Sequence, residues 1–106
     1  MPSTKQLLTA TRELVAAGWT KGAYNRRGTN GNICYCLVGA MSAAVRANPE
    51  FCMDNQDLWQ ALCTIQRQLP KEYHQYHPAH AATMFNDDST QQDVINLLDR
   101  VIEVAK

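Results

Sequence analysis

The sequence predicts a mainly α-helical fold, a compact bundle of about four helices with a short β-hairpin between helices one and two. Two observations support this prediction. Apolar residues recur at helical spacing in four segments, most of which follow a residue type that caps helices. Between the first two segments, the turn pair Asn30-Gly31 separates two short stretches that contain tyrosines and Ile33. The 106 residues are expected to form one domain, 1–106.

The helical segments are bounded by capping residues at their starts and by Gly or Pro at their ends. Ser3 or Thr4 caps the first helix and Gly18 ends it, while Pro70 stops the third. The predicted helices span 4–17, 37–47, 55–69 and 90–105. Their apolar faces predict a shared core that includes Leu14, Leu37, Met41, Leu62, Leu98 and Val101.

The stretch between the third helix and the last one has no clear apolar period. Residues 71–80 hold all three histidines and are expected to form a short helix or an ordered loop, interrupted by Pro78. Asn86 and Asp87 are followed by Asp88, Ser89 and Thr90, residue types that hydrogen-bond nearby backbone groups. This segment therefore predicts the start of the last helix, with Asp87 as a candidate cap.

Composition excludes several classes of protein. The net charge is zero and no long basic stripe is present, so nucleic-acid binding is not expected. No apolar stretch approaches the roughly 20 residues of a membrane span. The polar N-terminal residues do not resemble a signal peptide, which predicts a cytoplasmic protein. In that compartment the four cysteines are expected to remain reduced.

Several short motifs occur together along the chain. They are Gly18-Trp19 with Gly22-Ala23-Tyr24, then Cys36-Leu37-Val38-Gly39-Ala40, and then Phe85-Asn86-Asp87 before the last predicted helix. In these motifs the chain resembles a small uncharacterised family of bacterial and bacteriophage proteins, a domain of unknown function. That family carries Trp-Asn-Asp where this chain has Phe85-Asn86-Asp87, so the first position of the motif is still aromatic. The resemblance supplies no activity, but a phage origin would imply a role in counter-defence or host takeover.

Cys36 lies at the predicted start of the second helix, where the positive end of the helix dipole favours a thiolate. A cysteine hydrolase would need this nucleophile, a base such as His74, His77 or His80, and an orienting group such as Asn86 or Asp87. The alternative is a buried core cysteine beside Leu37, and we favour it.

The histidines and cysteines also raise the question of a metal site. Cys34 and Cys36 are separated by one residue, fewer than paired zinc ligands prefer. Pro78 interrupts the row formed by His74, His77 and His80. We therefore predict no metal and no cofactor.

The unusual polar and aromatic residues concentrate in the connections between the predicted helices. Loops on a rigid scaffold are where binding groups usually lie. The candidate binding residues are Trp19, Tyr24, Arg26, Arg27, Cys36, Asn86 and Asp87. In this interpretation Asn86 and Asp87 bind donor groups of a ligand, while the arginines and the helix N-terminus favour an anionic group.

The function expected from these residues is non-enzymatic binding, to a host protein or a small anionic signalling molecule. It follows from the lack of a complete catalytic constellation and of a strong metal motif. A cysteine hydrolase using Cys36 is the first alternative. A self-associating structural protein is the second, and the sequence does not determine the oligomeric state.

Overall fold

The computed structural model describes residues 3–28, 31–46 and 55–105. Within them the chain is mainly helical, as predicted, but it contains five α-helices instead of about four. The helices are α1 (Thr4–Ala17), α2 (Leu37–Ala44), α3 (Gln56–Gln68), α4 (Pro78–Asp87) and α5 (Gln91–Val104). Strands β1 (Asn25–Arg27) and β2 (Ile33–Tyr35) form the predicted hairpin between α1 and α2, and a 3₁₀ turn spans Lys71–Tyr73.

Three of the predicted helices begin close to their predicted first residues, each at a side-chain cap. The Ser3 hydroxyl accepts from the Gln6 amide and the Gln6 side chain accepts from the Ser3 amide, a reciprocal capping box that opens α1. Asn55 caps α3 through the Leu58 amide, and Thr90 opens α5 with a second capping box. The predicted second helix ends earlier than expected, at Ala44.

Helix α4 is the element that the sequence prediction missed. Pro78 occupies its first turn, where a proline loses no helical hydrogen bond, and His77 caps it by accepting from the Ala79 amide. The segment ending at Asp87 is therefore the end of one helix instead of the start of the next. The prediction that Asp87 caps the last helix is wrong, because Thr90 performs that role.

The core lies where α1 packs against α2, α3 and α5, with α4 closing the side formed by α2 and α3. Five of the six residues predicted to share this core are fully buried, and Leu14 is half-buried at its margin. The five are Leu37, Met41, Leu62, Leu98 and Val101. None of the described helices is long and apolar enough to cross a bilayer.

The hairpin is anchored to the helices through the segment that follows α1. Arg26 pairs with Cys34 in an antiparallel register. On its other side β2 pairs with Trp19 as a parallel bridge, because the Tyr35 amide donates to Gly18 and the Thr20 amide donates to Tyr35. Of the predicted turn pair Asn30-Gly31, Asn30 lies outside the described residues. Gly31 has a positive φ of 83°, as expected for such a turn.

Gly39 allows the hairpin to approach the first turn of α2 closely. The carbonyl oxygen of Tyr24 accepts from the Cys36 amide at 3.1 Å and passes directly over Gly39. A Cβ atom at position 39 would lie 1.9 Å from that oxygen, closer than any van der Waals contact permits. The lack of a side chain at Gly39 therefore allows the Tyr24 backbone to lie this close to α2.

We expect Gly39→Ala to lower the free energy of unfolding by at least about 2 kcal/mol. The new Cβ would collide with the backbone oxygen of Tyr24, which cannot rotate away as a side chain can, so the region around α2 would be overpacked. Chemical denaturation measures this change. Gly18→Ala is the matched control and should cost less, since its Cβ would meet the Cys34 Sγ at 3.0 Å. A stabilisation of up to about 1 kcal/mol, the usual result of Gly→Ala inside an unobstructed helix, would contradict the close approach.

Candidate functional site

Asn86 is a fully buried polar side chain, and it connects parts of the chain that are far apart in sequence. Its Oδ1 accepts from the indole Nε1 of Trp19 at 2.7 Å and from the backbone amide of Leu37 at 3.0 Å. Leu37 is the first residue of α2, so Asn86 on α4 satisfies an amide that the helix itself leaves unpaired. Both oxygen lone pairs are therefore used.

The amide nitrogen of Asn86 completes the network. Nδ2 donates to the Thr20 carbonyl at 3.2 Å and to Asp87 Oδ1 at 3.3 Å. A reversed amide would place its NH₂ against the donors of Trp19 and Leu37, so the surroundings fix its orientation. One side chain thus joins the segment after α1, the start of α2 and the end of α4.

Asp87 extends this network to the surface. Its Oδ1 also accepts from the Gly22 amide at 3.0 Å, where Gly22 adopts a positive φ of 81°. Because both bonds accepted by Asp87 within the described residues go to Oδ1, the other carboxylate oxygen remains for solvent or a ligand. The side chain is exposed, so Asp87 is a surface carboxylate held in place by backbone and by Asn86.

Cys36 caps α2, with its Sγ accepting from the Gly39 amide at 3.3 Å. The residue is 2% exposed, and burial raises the pKa of the Cys36 thiol, with Asp87 adding a smaller effect in the same direction. The amides of Gly39 and Val38 act in the opposite direction, but they do not outweigh burial. Cys36 is therefore a neutral thiol at neutral pH, in agreement with the buried core cysteine that we favoured from the sequence over an activated thiolate.

A small cleft opens where these groups meet, and we call it the Asp87 cleft. Its volume is about 180 Å³, and its lining residues are Gly22, Ala23, Tyr24, Cys36, Thr83 and Asp87. The structure thus brings together three of the predicted site residues, Tyr24, Cys36 and Asp87. Asn86 and Trp19 lie behind the cleft as its support.

Arg26 and Arg27 lie on β1 and do not line the Asp87 cleft. Sequence reasoning in turn missed Thr83. Thr83 precedes Asp87 by four residues, a spacing that places two side chains on one face of a helix. The sequence does contain this spacing, but it indicates a shared face only after residues 78–87 have been assigned to a helix.

The first turn of α2 is not an open anion site. The Leu37 amide is bonded to Asn86 and the Gly39 amide to Cys36, while the Cys36 amide donates to Tyr24. These internal acceptors occupy the groups that an anion would need. The cleft therefore presents a carboxylate and a neutral thiol.

The histidines are engaged away from Cys36. His74 Nε2 lies 2.8 Å from the Leu69 carbonyl, the His77 ring packs on Trp59, and the His80 ring packs on Tyr76. In the ranges that the structure describes, no group of three His, Cys, Asp or Glu side chains is arranged to hold a metal. Cys34, Cys36 and Cys63 are free thiols, and Cys52 lies outside the described residues.

A larger cleft of about 480 Å³ runs along α3. It is bordered by Trp59, Gln60 and Arg67, and it contains none of the predicted site residues. Among the described residues that line it, Arg67 is the one acidic or basic group. We therefore centre the candidate site on the Asp87 cleft.

A comparison with protein families finds one match that spans nearly the whole chain, residues 1–104, to a family of unknown function, DUF6197. The chain belongs to DUF6197. The family description assigns no activity, and the bacterial or phage origin suggested by the sequence motifs stays a prediction. No curated protein matches the DUF6197 chain significantly. No solved structure matches it either.

We expect Cys36 to react slowly with iodoacetamide in the folded protein at pH 7, because it is buried and protonated. Cys34 and Cys63 are half-buried and should be alkylated first. Peptide mapping by mass spectrometry after timed alkylation assigns each thiol, and labelling in denaturant gives the reference rate. Selective, rapid alkylation of Cys36 in the folded protein would instead identify an activated thiolate and support the hydrolase hypothesis.

Proposed function

We propose that this protein is a non-enzymatic binding protein, and that the Asp87 cleft receives a cationic or hydrogen-bond-donating group of its partner. The observation that carries the proposal is the fixed, exposed carboxylate of Asp87 at the border of a cleft. Gly22 and Asn86 hold one of its oxygens. Because these bonds restrain the carboxylate before any ligand arrives, little side-chain entropy would be lost on binding.

The size of the Asp87 cleft indicates what kind of group would fit. Small-molecule sites usually enclose about 300–1,000 Å³, whereas this cleft has about 180 Å³. Such a volume suits one side-chain head group better than a free nucleotide or coenzyme. A guanidinium group satisfies both the size and the charge, and it pairs with a carboxylate in a well-defined geometry. We therefore favour an arginine side chain presented by a partner protein.

The other functions expected from the sequence have less support. An anionic ligand would approach Asp87, and the α2 amides that it would need already have acceptors. A cysteine hydrolase would need a thiolate and a neighbouring base, but the Cys36 thiol is neutral and the histidines contact other groups. Self-association and a counter-defence role stay predictions from the sequence.

A titration with N-acetyl-arginine amide tests this proposal, with binding followed by two-dimensional NMR of the uniformly labelled protein. We expect saturable shifts at the amides of Gly22, Tyr24 and Thr83. Asp87→Asn should weaken binding by about tenfold, because the loss of one charge pair in a partly desolvated site is of that order. The asparagine keeps an oxygen for the Gly22 amide, so the fold should be retained.

Two controls separate charge recognition from non-specific attraction. Glu103→Gln removes one exposed carboxylate from α5 and should leave the titration unchanged. N-acetyl-citrulline amide, the neutral isostere of the probe, should bind more weakly than the arginine compound. Equal affinity of the folded wild-type and Asp87→Asn proteins for N-acetyl-arginine amide would exclude the Asp87 cleft as a cation site.

A further inference from the structure

Strand β1 forms an open edge of the small sheet. The side chains of Asn25, Arg26 and Arg27 are all exposed, and within the described residues β1 pairs only with β2. The opposite side of β2 is already occupied by the bridge to Trp19. Within the described part of the chain, β1 is therefore the edge that is open to an additional strand.

The hydrogen bonds at the two ends of the hairpin show which backbone groups face outward. At one end the Cys36 amide donates to the Tyr24 carbonyl, and at the other the Gly28 amide donates to the Asn32 carbonyl. Backbone groups in an antiparallel pair alternate between facing the partner strand and facing away. With the observed register, Arg26 faces β2, so the N–H and C=O groups of Asn25 and Arg27 face outward.

The hairpin and its flanking segments carry positive charge although the protein as a whole is neutral, and the Asp87 carboxylate lies at the base of the hairpin beside Gly22. Residues 14–46 contain no Asp or Glu, and their charged residues are Lys21, Arg26, Arg27 and Arg46. Ile33, which is 48% exposed, lies beside Arg27 on the same face of the hairpin. The edge thus combines backbone groups that have no strand partner within the described residues, cations and one apolar side chain.

We propose that an acidic, extended segment of another protein adds to β1 as a further strand. Backbone groups of Asn25 and Arg27 would supply the pairing, and carboxylates of the segment would lie beside Arg26 and Arg27. A second copy of this chain is a poorer occupant, because β1 pairing with itself would bring arginines against arginines. Nucleic acid would use the arginines, but its phosphates only accept hydrogen bonds and so would leave the outward-facing carbonyls without partners.

The proposal concerns a surface separate from the Asp87 cleft, so the two can fail independently. A suitable probe is a fluorescein-labelled peptide of ten residues that alternates Glu with Val and Thr. Fluorescence anisotropy measures its affinity for the folded protein, and native-state hydrogen exchange reports on backbone pairing. We expect saturable binding, with slower exchange at the Asn25 and Arg27 amides in the bound state.

Matched variants distinguish strand addition from simple charge attraction. The double variant Arg26→Glu/Arg27→Glu should weaken binding by about a hundredfold, as expected when two attractive pairs become repulsive. Lys5→Glu/Arg100→Glu changes the net charge equally at exposed helical positions and should have little effect. Asp87→Asn should not weaken this affinity, because it removes a negative charge near the base of the hairpin. The same peptide with N-methylated backbone at alternate residues should bind at least about tenfold more weakly, because it cannot donate to the edge.

Several results would overturn the proposal. They are failure of the acidic peptide to bind the wild-type protein at millimolar concentration, equal binding of the N-methylated peptide, and unchanged binding by the double arginine variant. Tighter binding of a single-stranded ten-nucleotide RNA through the same arginines would assign the surface to nucleic acid instead.

Discussion

The buried side chain of Asn86 is the interaction on which the rest of this structure depends. Its amide makes four hydrogen bonds, to the indole of Trp19, the Leu37 amide, the Thr20 carbonyl and the Asp87 carboxylate. No polar atom of this side chain remains unpaired, so its burial is compensated. Loss of the side chain would leave the buried Leu37 amide and Thr20 carbonyl unsatisfied, at a cost of about 1–3 kcal/mol each, and would also deprive the half-buried Trp19 indole of its acceptor. A network of this kind specifies one arrangement of the segments that it joins.

The candidate site follows from that arrangement. Asn86 and Gly22 hold Asp87, while Cys36 caps α2 and contributes a neutral thiol. Gly39 permits the Tyr24 backbone to lie across α2, which brings the cleft walls together. The chemistry that results is that of a fixed carboxylate in a small recess beside a neutral thiol, with no histidine among the described lining residues. Recognition of a cationic group is consistent with these features, whereas nucleophilic catalysis would require a different environment around Cys36.

Local signals in the sequence predicted much of the fold, and non-local contacts account for what was missed. Helices α1, α3 and α5 have caps and wide apolar faces, so the sequence predicts them without knowledge of their tertiary contacts. Helix α4 buries mainly alanines, and Pro78 suggested a break where it actually begins the helix. Of the seven predicted binding residues, Tyr24, Cys36 and Asp87 line one cleft, whereas Arg26 and Arg27 do not. The role of Asn86 could not be predicted, because its partners Trp19 and Leu37 are 67 and 49 residues away in the sequence.

Native-state hydrogen exchange at the Trp19 indole N–H tests the central role of Asn86 most directly. Trp59 provides an internal reference, since its half-buried indole makes no hydrogen bond within the part of the chain described. We predict that the Trp19 indole exchanges only through global unfolding, at the free energy shown by the slowest core amides. Exchange of Trp19 as fast as that of Trp59, under conditions where the core amides stay protected, would contradict a rigid network centred on Asn86.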